Sequence, residues 1–178
     1  MKKIVTTLFF AFLFFFTLLP SAKNSYALTL TQEKIIYDLP FPGLLPDHPL
    51  YFVKVVRDRM LEIGTRPPMQ RAELYFLLSD KRVAMSIALA EKGKDTLAVT
   101  TLSKAEKYFL KIPDLIIESE KQGVGPALGF VDKLKQSNLK HREVAETLLK
   151  ELPLGQVEAM NEIINMNTQV KKQLEKLN

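Results

Sequence analysis

Cysteine is absent from the 178-residue chain. That excludes disulfides, thiolate metal sites, a cysteine nucleophile and a lipid-attachment cysteine. Tryptophan is missing as well, and only two histidines are present, so metal ligands are in short supply. No glycine-rich phosphate loop, fixed-period repeat or low-complexity tract occurs. The alternating pattern of a half-buried strand is also absent. Serines such as Ser79 and Ser86 sit in no nucleophile elbow and have no histidine–acid partner marked by the sequence. Nothing forms a catalytic constellation, so no enzymatic activity, cofactor or metal is expected.

What is present begins with an export signal. Lys2 and Lys3 form a positive start, 4–19 is an uncharged apolar run, and Pro20 ends it. Ser25-Tyr26-Ala27 places small residues at both specificity positions of a cleavage site, which predicts cleavage after Ala27 and a secreted or extracytoplasmic chain. The alternative is an uncleaved anchor. The run, however, falls short of the roughly 20 residues that span a bilayer comfortably. Cleavage would remove Lys2, Lys3 and Lys23 and no acid, so the formal charge falls from +5 to +2. That is no footprint for nucleic acid. A membrane role is expected only through the N-terminal segment if it stays attached.

Residues 28–44 read as a tether, because Pro40-Phe41-Pro42-Gly43 sustains neither a helix nor a central strand, with local packing of Ile35-Ile36-Tyr37 against the domain as an expectation. The stretch 45–59 follows, and the first helix starts within it. Asp47 or His48 is expected to cap, with Pro49 just inside the helix, where a missing N–H costs nothing. Val53, Val56, Met60 and Ile63 make an apolar stripe expected to face the core. A second helix over 68–92 ends at Gly93, the expected left-handed cap residue. A third over 95–112 meets Pro113, with 114–121 continuing beyond a break or kink. Gly123 to Pro126 suggests a boundary between a three-helix domain, 45–122, and a C-terminal hairpin, 123–178, packed on it. That hairpin pairs a fourth helix over 127–152 with a fifth that runs nearly to the end.

Two antiparallel hairpins follow from the stripes. Turning at Gly93 pairs Leu89 with Ala98, Met85 with Leu102, Arg82 with Ala105, Leu78 with Phe109 and Tyr75 with Ile112. Large residues tend to face small ones. Turning at Pro153 pairs Leu148 with Val157, Ala145 with Met160, His141 with Ile164 and Asn138 with Asn167. Facing seam asparagines satisfy each other and penalise slipped registers, so a side-chain contact between Asn138 and Asn167 is predicted. The fold class is all-α: a bundle of about five helices, with two hairpins and a first helix docked on them.

The polar residues on these stripes are the candidate sites. His48 beside Asp47 is expected to cap or pack a turn, with a ligand role as the alternative. His141 is expected to be a satisfied core histidine, against a metal-binding or pH-sensing role. Arg82 has three readings: a stem covering core with its head in water, an ion pair with Asp58 or Glu62 that ties the first helix down, or an anion site.

The chain resembles an uncharacterised bacterial domain family, a domain of unknown function in exported and membrane-anchored helical proteins. The matching residues are 45–51 (Leu-Pro-Asp-His-Pro-Leu-Tyr) with Lys54 and Arg57-Asp58-Arg59. Arg71-Ala72-Glu73-Leu74, Asp80-Lys81-Arg82, Gly93-Lys94 and the run 101–108 follow, so the resemblance covers about 45–112. Lys140-His141-Arg142-Glu143-Val144 is similar to a segment found downstream of such domains. The resemblance implies an extracytoplasmic helical domain and carries over no catalytic residue. The expected function is that of a structural or interaction protein of the cell envelope, docking a protein partner or a second copy. The alternative is a small-ligand or metal-binding protein with its site near His141, Asn138 and Arg82.

Overall fold

The computed structural model describes residues 35–177. The predicted signal peptide, its cleavage point and the first part of the tether lie outside them. Lys34–Asn178 is one compact unit, so helices on both sides of the Gly123 to Pro126 turn belong to the same body. No helix among the described residues is long and apolar enough to cross a membrane.

Six α-helices follow in chain order, with no strand among the described residues: α1 Tyr51–Gly64, α2 Pro68–Glu91, α3 Asp95–Phe109, α4 Ile112–Lys121, α5 Phe130–Glu151 and α6 Val157–Leu174. A 3₁₀ turn, Leu154–Gln156, joins α5 to α6. Each boundary has a local cause. Pro67 and Pro68 start α2, where a missing N–H is harmless. Gly93 (φ 67°) closes α2 in the left-handed region, and Lys94 N–H reaches back to the Leu89 carbonyl at 2.9 Å.

The break near Pro113 falls earlier than the sequence suggested. A proline ring inside a helix clashes with the carbonyl four residues back, which here belongs to Phe109. The α3 helix therefore stops at Phe109, and Pro113 sits in the first turn of α4. The α5 helix starts at Phe130 rather than near 127, because Gly129 holds φ 78° at its N-cap.

The α2–α3 and α5–α6 hairpins pack into a closed ring, with α3 against α6 and α2 against α5. All the predicted α2–α3 seam residues are buried, including Arg82. The interior divides into two apolar cores. One contains Ala72, Tyr75, Phe76, Phe109, Ile112, Leu134, Val170 and Leu174. The other contains Val83, Val99, Leu102, Ala105, Val144, Leu148, Met160 and Ile163. Each ring helix thus supplies one core at one end and the other core at the other.

Helix α1 reverses the expected orientation. Val53, Val56, Met60 and Ile63 point to solvent, and Lys54 and Asp58 are buried. The reason lies in the surface that α1 covers, which presents Arg82 and Tyr108. A polar helix face matches that surface and an apolar one does not. The N-terminal end differs as well. Leu50 is the N-cap and Pro49 lies outside the helix. His48 Nδ1 accepts the Leu50 N–H at 3.1 Å, and Asp47 pairs with Lys92 at 3.2 Å.

Candidate functional site

Between the two apolar cores lies a buried polar layer drawn from all four ring helices. Helix α2 contributes Ser79 and Asp80, α3 Glu106, α5 Ser137, Asn138 and His141, and α6 Asn167. His141 is at the centre and has no exposed surface. Its Nδ1 lies 2.7 Å from Glu106 Oε1 and its Nε2 lies 3.0 Å from Asp80 Oδ1. Burial alone would push the imidazole down. The charge of Glu106, the hydrogen bonds to Asp80 and Glu106 and the charge of Asp80 outweigh burial and raise it to about 9. With a carboxylate at each nitrogen, the ring is an imidazolium donating on both sides.

Asp80 is saturated. Ser137 Oγ donates to its Oδ1 at 2.6 Å, and the Tyr37 hydroxyl donates to its Oδ2 at 2.5 Å. Burial and the bond to Asp80 raise the Tyr37 phenol well above its usual range, against a smaller lowering from Ser137. Tyr37 belongs to the segment read as a tether. That segment lies against α5, where the Ile35 N–H reaches Glu143 at 3.3 Å. Glu106 Oε2 is buried and makes no hydrogen bond. Asn138 and Asn167 complete the layer: the Asn138 amide donates to the Asn167 carbonyl at 3.1 Å, and the Asn167 amide to the Asn138 carbonyl at 3.0 Å. The seam asparagines therefore bond each other's backbone rather than each other's side chains, in the register the hairpin predicts.

A second polar set lies under α1. Tyr51, Lys54, Asp58 and Glu62, spaced three and four apart, form its inward stripe. Lys54 Nζ donates to the Pro42 and Leu44 carbonyls at 2.7 and 3.3 Å, which folds the preceding segment onto the helix. Burial lowers its ammonium, Asp58 opposes this, and Lys81, Arg57 and Arg82 add to it. The result is about 8. Asp58 Oδ1 accepts Arg57 at 2.6 Å, and its Oδ2 lies 4.0 Å from Arg82 Nη2. The Arg82 guanidinium lies over the Tyr108 ring, 4.3 Å from its centroid, and donates to the Leu78 carbonyl at 3.0 Å. The Tyr108 hydroxyl donates to Glu62. Of the two acids proposed for Arg82, the structure selects Asp58. Glu62 instead fixes Tyr108, the ring on which Arg82 rests.

The structure does not bring His141, Asn138 and Arg82 together at one site. His141 lies between two acids, Asn138 bonds across the α5–α6 seam, and Arg82 faces α1. Asp80 and Glu106 sit on opposite ring nitrogens of His141 rather than converging on a common point. Among the described residues, no group of three or more histidines and acids is arranged to hold a metal ion. Sequence reasoning missed Asp80, Glu106, Ser137 and Lys54 as parts of a polar set, and it expected Tyr37 to pack on the domain without its bond to Asp80. One signal was present: a seam carrying Asn138, His141 and Asn167 needs polar partners on the facing hairpin, although neither hairpin's own register says which of its residues lie level with His141.

A family model described as Domain of unknown function (DUF5667) matches residues 43–178. The chain belongs to this family. The match takes in all six helices of the DUF5667 domain, including the α5–α6 hairpin beyond the stretch that carried the resemblance. It also contains both polar sets apart from Tyr37. Neither the curated proteins nor the solved structures yielded a match to this chain.

Proposed function

We propose that this protein is exported and works in the cell envelope as a non-catalytic helical protein, through contacts made by the outward face of α1. The observation that carries this reading is the orientation of α1. A helix whose polar stripe is turned inward leaves a contiguous apolar face in water, and such a face marks an interaction site. Phe52, Met60 and Ile63 are 64, 68 and 69% exposed. Export rests on Lys2 and Lys3, the apolar run 4–19 and the Ser25-Tyr26-Ala27 cleavage pattern. The burial of the polar layer supports a structural role for it. The residue types that do chemistry elsewhere, His141, Asp80 and Glu106, are here out of reach of a substrate and occupied with one another.

The test is photo-crosslinking in the producing cell, with a crosslinker at Met60 or at Lys171 in the full chain. Adducts at Met60, lost with Val56→Glu and absent at Lys171, are expected. The mature N-terminus should be Leu28. Absence of adducts at Met60, or equal adducts at both positions, would overturn the role given to α1.

A further inference from the structure

We infer that the outward face of α1 lies on an anionic lipid surface. The inference rests on the proposed interaction role of α1 and names the surface it meets. On a wheel of about 3.6 residues per turn, Phe52, Val53, Val56, Met60 and Ile63 share one side of the helix. Arg57 and Arg59 border that side, one on each flank. Their side chains are 59 and 71% exposed, and the acids of the same helix, Asp58 and Glu62, are turned inward at 6 and 8%. Arg57 pairs with Asp58 at 2.6 Å and Arg59 with Glu62 at 3.1 Å, but the acids lie on the inner side and the guanidinium groups stay exposed, so the outer surface of α1 presents hydrophobic residues and arginine. A helix lying in a membrane interface has this distribution: an apolar face entering the acyl boundary, with basic residues at its edges reaching headgroup phosphates.

The surface next to α1 continues the pattern. A groove of about 360 Å³ between the preceding segment and α1 is lined by Phe41, Leu50 and Val53, with Arg57 and Lys81 at its rim. Phe41 is also exposed. The same charges argue against a second copy as the occupant. A two-fold contact places a patch against itself, so the exposed arginines of one α1 would face those of the other, while the acids that pair with them are turned to the inner side. An anionic bilayer supplies headgroup phosphates to the outward guanidinium edges.

The absence of cysteine makes the test direct. Met60→Cys in the full chain takes a single environment-sensitive fluorophore, and Glu158→Cys, at an exposed position of α6, serves as reference. Both proteins are mixed with phosphatidylcholine vesicles, with or without phosphatidylglycerol. The expected result is a blue shift at Met60 with anionic vesicles, much smaller with neutral ones, lost at high salt and in the Arg57→Gln/Arg59→Gln variant, with no shift at Glu158. No shift at Met60, or equal shifts on neutral and anionic vesicles, overturns the inference. So does a vesicle-free shift, whether it grows with protein concentration (a second copy) or disappears when residues 1–27 are removed (the chain's own N-terminal run). If the vesicle test fails while crosslinks at Met60 persist in cells, the interaction role of α1 stands and the lipid surface does not. If both fail, the interaction role falls too.

Discussion

The ring of four helices and the α1 helix handle polarity in opposite ways. Inside the ring, an imidazolium, two carboxylates and two asparagines are sealed between apolar cores. On α1, valines, a phenylalanine, a methionine and an isoleucine face water, and the buried stripe is lysine, aspartate and glutamate. Burying charge is expensive unless each group is paired. In the layer around His141 the pairing is close to complete, and Glu106 Oε2 is the atom there that lacks a partner. A layer paired this closely also fixes the relative heights of four helices, because a slip would separate partners in a low-dielectric interior. Under α1 the pairing is looser: the Asp58–Arg82 contact spans 4.0 Å and Arg57 shares the same carboxylate. The difference suggests a rigid body, held at its centre by the polar layer, that carries a more lightly docked helix with its apolar side free.

Removing His141 should have the largest effect. His141→Leu leaves Asp80 and Glu106 facing each other without a cation, and should lower stability by about 3–5 kcal/mol in a denaturant melt. A loss under about 1 kcal/mol would mean that the layer is not an ionic one. The pH profile comes next. The folded imidazole, at about 9, lies above its ordinary 6.5. Its contribution is therefore fully present below pH 6.5 and is lost as pH rises through 9. The wild type should lose about 3 kcal/mol over that window, and His141→Leu should lack that component. A wild-type stability that does not fall between pH 6.5 and 9 would show that the ring is not held as an imidazolium.

Beneath α1 the expected cost is smaller. Asp58→Ala with Glu62→Ala should destabilise by about 1–4 kcal/mol, because it strands Arg82 and frees Tyr108. An unchanged melt would show that Arg82 needs neither acid. At the seam, Asn138→Ala removes the side-chain hydrogen bond to the Asn167 backbone carbonyl, which keeps its helical partner, and should cost about 0.5–1.5 kcal/mol.

Most of the ring was legible in the sequence. Its helices are punctuated by Gly93, Pro113 and Pro153, and the apolar stripes on either side of Gly93 and Pro153 pair at constant register. The orientation of α1 was not. Val53, Val56, Met60 and Ile63 form a regular stripe, but so do Tyr51, Lys54, Asp58 and Glu62. Periodicity shows that a helix has two faces; which one turns inward depends on the surface it meets. Here that surface is Arg82 and Tyr108, set by residues 20 to 50 positions away along the chain. The partners of His141 were hidden for a related reason. Each hairpin could be registered within itself, but the Asp80–His141 and Glu106–His141 contacts cross from one hairpin to the other. Helix-packing patterns within a hairpin do not set the level at which two hairpins meet.

The inversion of α1 is tested most directly by a denaturant melt of the Val56→Glu/Met60→Glu variant against the wild type. Both positions face solvent, so the account predicts a stability change within about 0.5 kcal/mol. A loss of several kcal/mol would mean that this face is packed against the protein itself, which would contradict it.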